Sequence, residues 1–217
     1  MKKNIVLGVL FILPIVAYLF FASGVHGFAN LPTITKSIND VDVFKTIAGE
    51  FVTLNNKITV LGFPGIEVLK NKGNAFNLSQ KIYDKNREFK DFQLVMIMPN
   101  GTQKDTEQLK YELGRISNLE RWTYVFGSPE QIKAFYKSLN LIGGLDANYA
   151  TSNVYIIDKN KNLRGRKGKD KKGNSEYKEG YNTISAADLH NDMADDVKII
   201  LAEYRLALKK NNANRIK

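Results

Sequence analysis

The fold is decided by residues 122–131, WTYVFGSPEQ, where a strand signal runs directly into a helix signal. The apolar and β-branched run Trp122–Phe126 predicts a buried strand. Ser128 then supplies a helix N-cap, Pro129 the first helical position and Gln131 the second half of a capping box. Apolar residues recur after it with the spacing of one helix face, at Ile132, Phe135, Tyr136 and Leu139. The stretch therefore predicts a strand followed by a helix.

The same alternation of strand and helix signals extends on both sides of this unit. Short apolar runs predict three more strands, at Ile58–Phe63, Phe92–Met98 and Asn153–Asp158. A turn after the last of them leads into a short antiparallel strand around Leu163–Arg166. This order predicts an α/β domain with a mostly parallel central sheet flanked by helices, completed by a C-terminal β-hairpin and helix.

Capping signals predict two further helices. Thr102 with Asp105 starts a helix whose apolar face is Leu109, Leu113 and Ile116. Ser185 with Asp188 starts the C-terminal helix, whose apolar stripe consists of Leu189, Met193, Val197, Ile200, Leu201, Tyr204 and Leu208.

The N-terminus predicts a membrane anchor. Lys2 and Lys3 precede an uncharged apolar run of 18 residues, 5–22, which is long enough to span a bilayer. Paired lysines stay on the cytoplasmic side, so the run predicts a single-pass protein of the cell inner membrane with its domain in the periplasm. The small residues 22–24, ASG, leave a cleaved signal peptide as the alternative. We expect an anchor at 1–24, a tether at 25–44, a folded domain at 45–208 and a basic tail at 209–217.

The composition excludes several kinds of chemistry. The 217 residues carry a net charge of +10 and include two histidines and no cysteine. Disulfides, thiolate metal sites and cysteine nucleophiles are therefore impossible.

The motifs together resemble the Sco family, the membrane-anchored, thioredoxin-like copper chaperones and thiol reductases of cytochrome c oxidase assembly. The similarity spans about residues 45–205 and rests on the order of MPN at 98–100, TEQL at 106–109, RWTYVFGSPEQI at 121–132, NVYIID at 153–158 and LRG at 163–165. It implies a thioredoxin-like fold.

The family's active positions are vacated in this chain. The resemblance aligns Ile66 with the first cysteine of the family's loop, Lys70 with the second and Ala150 with the copper-binding histidine. Copper(I) needs soft ligands and thiol–disulfide exchange needs a thiolate, so neither activity is expected. We expect no enzyme activity, no cofactor and no metal.

Two functions remain open at this point. The first is a non-catalytic module that binds a protein partner, by resemblance in respiratory-complex assembly. The alternative is a ligand-binding or enzymatic domain with a rebuilt pocket around Phe63, Glu67, Lys70 and Tyr149. Lys70 could be a low-pKa nucleophile if it were desolvated, but a solvated side chain is the favoured reading.

Other clusters favour structural readings. Met96 and Met98 share a strand face that suits core packing better than a copper site. A cluster at the start of the last helix suits a solvated helix end better than a metal site: His190, Asp192, Asp195 and Asp196.

Much of the positive charge is concentrated in one loop. The candidates for contact with a partner or with anionic lipid are Arg164, Arg166, Lys167, Lys169, Lys171 and Lys172. A solvated, mobile hairpin is the favoured alternative. Nucleic acid is not an expected partner, because no aromatic platform accompanies these charges.

Overall fold

The computed structural model describes residues 10–16, 30–169 and 173–215, with side chains of the last helix described as far as Arg205. The strands are β1 (Thr33–Thr35), β2 (Ile58–Gly62), β3 (Phe92–Pro99), β4 (Trp122–Gly127), β5 (Asn153–Ile157), β6 (Leu163–Arg164), β7 (Arg166–Lys169), β8 (Ser175–Lys178) and β9 (Tyr181–Asn182). The helices are α1 (Lys72–Leu78), α2 (Gln103–Gly114), α3 (Pro129–Ser138) and α4 (Ala194–Arg215). Helix α1 continues through a π-helical turn, Ser79–Tyr83, into Asp84–Asn86, and a second π-helical turn, Asp188–Met193, precedes α4.

The central sheet is mixed, in contrast to the mostly parallel sheet predicted. Its order is β1-β6-β5-β2-β3-β4, with β9 also paired to β5. Strands β2, β3 and β4 are parallel, whereas β5 is antiparallel to β2, with Val154 opposite Gly62. The segment 139–152 returns the chain to the end of the sheet where β2 finishes, which reverses β5. The alternation of elements in the sequence does not encode this return.

The sheet separates two hydrophobic clusters. Leu94, Met96 and Met98 of β3 face one side, under α1, α2 and α4. Val95 and Ile97 face the other side, under α3. Successive strand residues point to opposite faces, and both faces are covered, which explains why β3 is apolar throughout. The packing role predicted for both methionines is what the structure shows, since both side chains are buried.

The helices begin where the sequence predicted, but the Thr102 hydroxyl donates to the Pro99 carbonyl and does not cap α2. The Ser128 Oγ accepts from the Gln131 amide and the Gln131 Oε1 accepts from the Ser128 amide, so the capping box of α3 is complete. The Asp188 amide donates to the Ser185 Oγ at 3.1 Å, as expected for the C-terminal helix. Ile116, predicted on the face of α2, lies beyond the end of that helix and is 55% exposed. Leu208 lies outside the described side chains.

The folded unit begins earlier than residue 45, where the sequence placed it. Within the predicted tether, β1 pairs with β6, and Leu31, Ile38, Val41 and Phe44 are buried. The predicted basic tail lies partly in α4, whose backbone extends to Arg215. The predicted anchor lies outside the described residues except for the helical stretch 10–16, whose large apolar side chains are exposed. In the described ranges, no helix is long and apolar enough to cross a membrane.

Candidate functional site

The loop after β2 carries two of the vacated positions, Ile66 and Lys70, and the segment before β5 carries the third, Ala150. Gly65 has φ +73°, and a Cβ built on it would lie 2.5 Å from both the Ala150 Cβ and the Asn148 carbonyl oxygen. The Ile66 amide donates to that same carbonyl at 3.1 Å. The Thr151 amide donates to the Phe63 carbonyl at 3.0 Å, so a second backbone bond closes the junction. The loop that carries Ile66 therefore packs directly against the segment that carries Ala150.

Lys70 lies at the outer end of this loop and is solvated. Its side chain is 72% exposed, and its Nζ pairs with Glu67 at 3.0 Å. The Glu67 Oε2 also accepts from the Asn148 side-chain amide at 3.4 Å, which ties this ion pair to the Ala150 segment. A nucleophilic lysine depends on desolvation of its ammonium, and this side chain has none. The exposure of Lys70 supports the expectation that its side chain is solvated.

The rebuilt pocket predicted around Phe63, Glu67, Lys70 and Tyr149 does not form. The Phe63 ring packs edge-on against Tyr136, with centroids 5.1 Å apart. The Tyr149 ring lies under the Lys133 Nζ at 5.2 Å. Within the described residues, Phe63 alone of the four lines the neighbouring cavity. Phe63 packs in the buried cluster under α3, whereas Lys70 is exposed to solvent and Tyr149 contacts Lys133.

A cavity of about 410 Å³ instead lies between α1 and the sheet. Its floor is buried and consists of Val68, Leu78, Met96, Leu109, Trp122, Tyr124 and Val154. Its mouth is exposed and includes Asn71, Gly144, Asp146 and Ile184. Pro64 and Ala150 also line it, so the cavity opens beside the vacated positions. The sequence shows only that Trp122 and Tyr124 alternate on one strand face, which does not predict an opening.

Two polar atoms of the floor residues have no hydrogen-bond partner among the residues that the structure describes. These are the Trp122 Nε1 and the Tyr124 hydroxyl, and both are fully buried. The two rings stack with centroids 6.3 Å apart. Burial raises the pKa of Tyr124 far above its ordinary value, and the nearby Trp122 N–H offsets this only in part.

Three exposed isoleucines lie at the mouth of the cavity or two residues along the chain from a residue that lines it. Ile184 lines it and is 65% exposed, while Ile66 and Ile142 are 45% and 81% exposed. Ile66 follows Pro64 by two residues and Ile142 precedes Gly144 by two, so each is close to a residue at the opening. We call Ile66, Ile142 and Ile184 the isoleucine rim.

Arg164 and Arg166, predicted as candidates for partner or lipid contact, are directed into the protein. Arg164 is buried and donates to Asp158, Glu203 and the Leu31 carbonyl. The Arg166 Nε donates to Asp196 at 2.7 Å. Glu203 of α4 and the Leu31 carbonyl of the N-terminal segment bind Arg164, and Asp196 of α4 binds Arg166; these three partners are distant from the arginines in sequence. Lys167 and Lys169 are exposed on β7, and Lys171 and Lys172 lie outside the described residues.

The acidic cluster at the start of the last helix forms ion pairs. Asp196 is buried and accepts from Tyr181 at 2.6 Å as well as from Arg166, so it is not solvated as predicted. Asp192 pairs with Lys178 and Arg166, and His190 is exposed. In the part of the chain that the structure describes, no three His, Cys, Asp or Glu residues are grouped to hold a metal ion.

Comparisons with known proteins identify the fold. No protein-family model matches the chain. No curated protein matches it either. The solved structure of BsSco, a member of the Sco family of cytochrome c oxidase assembly proteins, is similar to it with a TM-score of 0.55 and 14% identity, over 77% of this chain and 95% of BsSco. A putative protein disulfide isomerase from Bacteroides thetaiotaomicron is similar with a TM-score of 0.51 and 12% identity, over 80% of this chain and 95% of that protein.

The chain therefore has a Sco-like thioredoxin fold without cysteine. The fold expected from the resemblance is confirmed. The identities are too low to carry an activity from these proteins to this chain.

Proposed function

We propose that this chain is a non-catalytic, Sco-like domain that binds a protein partner outside the cytoplasm. The observation that carries the proposal is the vacated loop: Ile66, Lys70 and Ala150 stand where a copper or thiol site would be, in a loop still packed in place. An isoleucine, a solvated ammonium and a methyl group supply no soft ligand and no thiolate. A domain without these groups can still bind another protein through its surface.

The isoleucine rim supports a protein partner. Grouped exposed apolar side chains mark interaction sites more often than single ones do. The loop that carries Ile142 is also held in place, because the amides of Ile142 and Gly143 donate to Glu179 at 2.9 and 2.8 Å. Binding to an already ordered loop costs less conformational entropy. BsSco is described as a cytochrome c oxidase assembly protein, and we extend this to a partner in respiratory-complex assembly.

We also propose that residues 1–24 anchor the domain in the cell inner membrane, with the domain in the periplasm. The apolar run 5–22 and the lysines before it support this orientation. Protease added to spheroplasts should digest the domain, and carbonate should leave it in the membrane fraction. Protection of the domain in intact spheroplasts would contradict the orientation. Release by carbonate would contradict the anchor.

Site-specific photo-crosslinking in native membranes tests the partner. A photoreactive residue replaces Ile66 or Ile184 in the rim, or Ile116 as a control that is also exposed but lies beyond α2 at the far end of the sheet. We expect the probes at Ile66 and Ile184 to capture the same discrete protein and the probe at Ile116 not to capture it. The substitution Ile142→Lys should abolish this crosslink. Identical products from all three positions, or lipid alone, would refute the partner-binding role.

A further inference from the structure

The chain enters the folded domain beside the last helix. The Leu31 amide donates to the Glu203 Oε1 at 2.9 Å, and the Arg164 guanidinium donates to the Asn30 Oδ1 at 2.8 Å. Arg164 is itself buried and paired with Asp158, so the entry point is fixed on the domain. Asn30 therefore marks the place on the surface to which the N-terminal residues are connected.

The connection between this point and the proposed anchor is short. The apolar run ends at residue 22, and the eight residues from 23 to 30 span at most about 26 to 29 Å when fully extended. The polar headgroup layer takes up about 5 to 7 Å of this reach. A domain of this size is roughly 40 Å across. If residues 5–22 span the bilayer as proposed above, Asn30 lies within roughly 25 Å of the lipid surface.

A groove with a cationic lining lies between the last helix and the chain that precedes β3. Lys85, Lys198 and Arg205 line it, together with apolar side chains that include Phe89 and Leu201. No carboxylate is among its lining residues in the part of the chain that the structure describes. The Phe89 ring is apolar and yet 42% exposed. We call this surface the basal groove.

The basal groove lies at the same end of the sheet as the entry point of the chain. Phe89 comes shortly before the first residue of β3, and Asp91, which directly precedes β3, pairs with Lys159. Lys159 follows Asp158, and Asp158 accepts at 2.9 Å from Arg164, the side chain that holds the entry point. A continuous set of contacts thus joins the groove to the place where the chain enters.

The isoleucine rim lies at the opposite end of the sheet. Ile184 follows Thr183, whose amide donates to the Ser152 carbonyl just before β5, whereas Asp158 comes directly after β5. Residues 152 and 158 are about 20 Å apart along the strand. A bilayer at the groove end would therefore leave the rim facing away from lipid.

The cations of the basal groove are available to an anionic surface. Lys85 and Arg205 are exposed and form no ion pair within the described part of the chain. Lys198 pairs with Asp195 at 2.9 Å, but both side chains are exposed, and such pairs contribute little and are readily exchanged. Lysine and arginine bind phosphate oxygens, and an exposed aromatic ring suits the level of the headgroups.

We propose that the basal groove rests on anionic phospholipid headgroups of the membrane that anchors the chain. Lys85, Lys198 and Arg205 contact the phosphates, and the Phe89 ring lies at the boundary of headgroups and acyl chains. This inference rests on the proposed anchor, because the short connection keeps the groove at a high effective concentration of lipid. A soluble acidic protein gains no such advantage. The docked domain presents the isoleucine rim away from the bilayer, where a protein partner can reach it.

Single labels can measure headgroup contact, because the chain has no cysteine of its own. Glu88→Cys places a fluorophore beside the groove, at a side chain that is 90% exposed, and Ile184→Cys places it at the rim. The labelled full chain is reconstituted into vesicles of phosphatidylcholine alone or of equal parts of phosphatidylcholine and phosphatidylglycerol, each with a nitroxide on some headgroups. We expect strong quenching at 88 in the anionic vesicles only, and little quenching at 184 in either kind. High salt should reduce the quenching at 88, because it screens the charges.

Two triple variants with the same change in charge test the role of the groove. The groove variant replaces its three cations: Lys85→Gln, Lys198→Gln and Arg205→Gln. It should lower the ratio of docked to free domain on the order of 100-fold, at about fivefold for each charge. The control variant replaces exposed lysines that do not line the groove and should keep the quenching of the parent protein: Lys104→Gln, Lys110→Gln and Lys137→Gln. Both should keep the parent melting temperature, because all the replaced side chains are exposed.

Three results would overturn the proposal. Equal quenching at 88 in both kinds of vesicle and in the groove variant would mean that the short connection alone brings the domain near lipid. No quenching at 88 in the anionic vesicles, with the chain still resistant to carbonate, would mean that the groove does not contact lipid and is open to a soluble partner. Release of the chain by carbonate would refute the anchor and this inference with it. The first two results leave the anchor and the crosslinking at the isoleucine rim untouched, so the proposals fail separately.

Discussion

Replacing Arg164 by methionine tests whether the N-terminal segment and the last helix are part of one folded unit. The Arg164 side chain is 8% exposed and that of its partner Asp158 is 1% exposed, so the variant leaves a buried carboxylate without its cation. Breaking such a pair costs about 3 to 5 kcal/mol. Asp158 keeps its bonds from the amides of Asn160 and Asn162, which places the expected loss near the lower end, at about 3 kcal/mol.

The assay is thermal and urea unfolding of the full chain, with limited proteolysis of residues 30–44. A loss of about 3 kcal/mol lowers the melting temperature of a domain of this size by roughly 6 to 12 °C. The bonds from Arg164 to the Leu31 carbonyl and Glu203 are lost as well, so cleavage in 30–44 should accelerate. The control is Arg87→Met, which removes partly exposed pairs with Asp84 and Glu88 and should cost about 0 to 1 kcal/mol. Equal, small losses in both variants would refute the reasoning.

Two further predictions concern the stability of the fold at acid pH and the packing of the loop after β2. Burial alone would raise the pKa of Asp192, but Lys178 and Arg166 outweigh it and hold that pKa below its usual range. Its ionised form therefore stabilises the fold fully above about pH 4, and this contribution is lost as the pH falls. Urea midpoints should fall less steeply below about pH 4 in Asp192→Asn; an unchanged slope would contradict this. Gly65→Ala should cost more stability than Gly49→Ala by roughly 1 to 3 kcal/mol, since both have positive φ but only Gly65 meets atoms at 2.5 Å; equal costs in thermal unfolding would contradict the close packing of the loop.

Local signals in the sequence predicted the elements well. The capping box of α3 and the buried run of β3 depend only on neighbouring residues, so both can be recognised from the sequence without knowledge of the fold. The direction of β5 could not be predicted from the sequence, because it depends on the end of the sheet to which the segment 139–152 returns the chain. The burial of 30–44 was missed for a similar reason, since the polar residues of this segment resemble a linker and their partners lie more than 100 residues away.

The candidate site was only partly predictable. Alignment to the family motif placed Ile66 and Ala150 in one site, and the structure brings their segments into contact. Charge counting failed for Arg164 and Arg166, because composition does not show which cations have buried partners. The cavity was missed because an opening depends on how α1 lies over the sheet. Trp122 has the same apolar pattern whether its indole N–H is paired or free.

A copper(I) titration of the full chain against a chromophoric chelator tests the central claim most directly. The matched variant combines Ile66→Cys, Lys70→Cys and Ala150→His, which puts soft ligands back at the vacated positions. The account predicts that the parent protein leaves copper on the chelator, whereas the folded triple variant removes one equivalent. One equivalent bound by the parent protein with sub-micromolar affinity would contradict the loss of metal chemistry, and failure of the folded variant to bind would contradict the placement of the three positions.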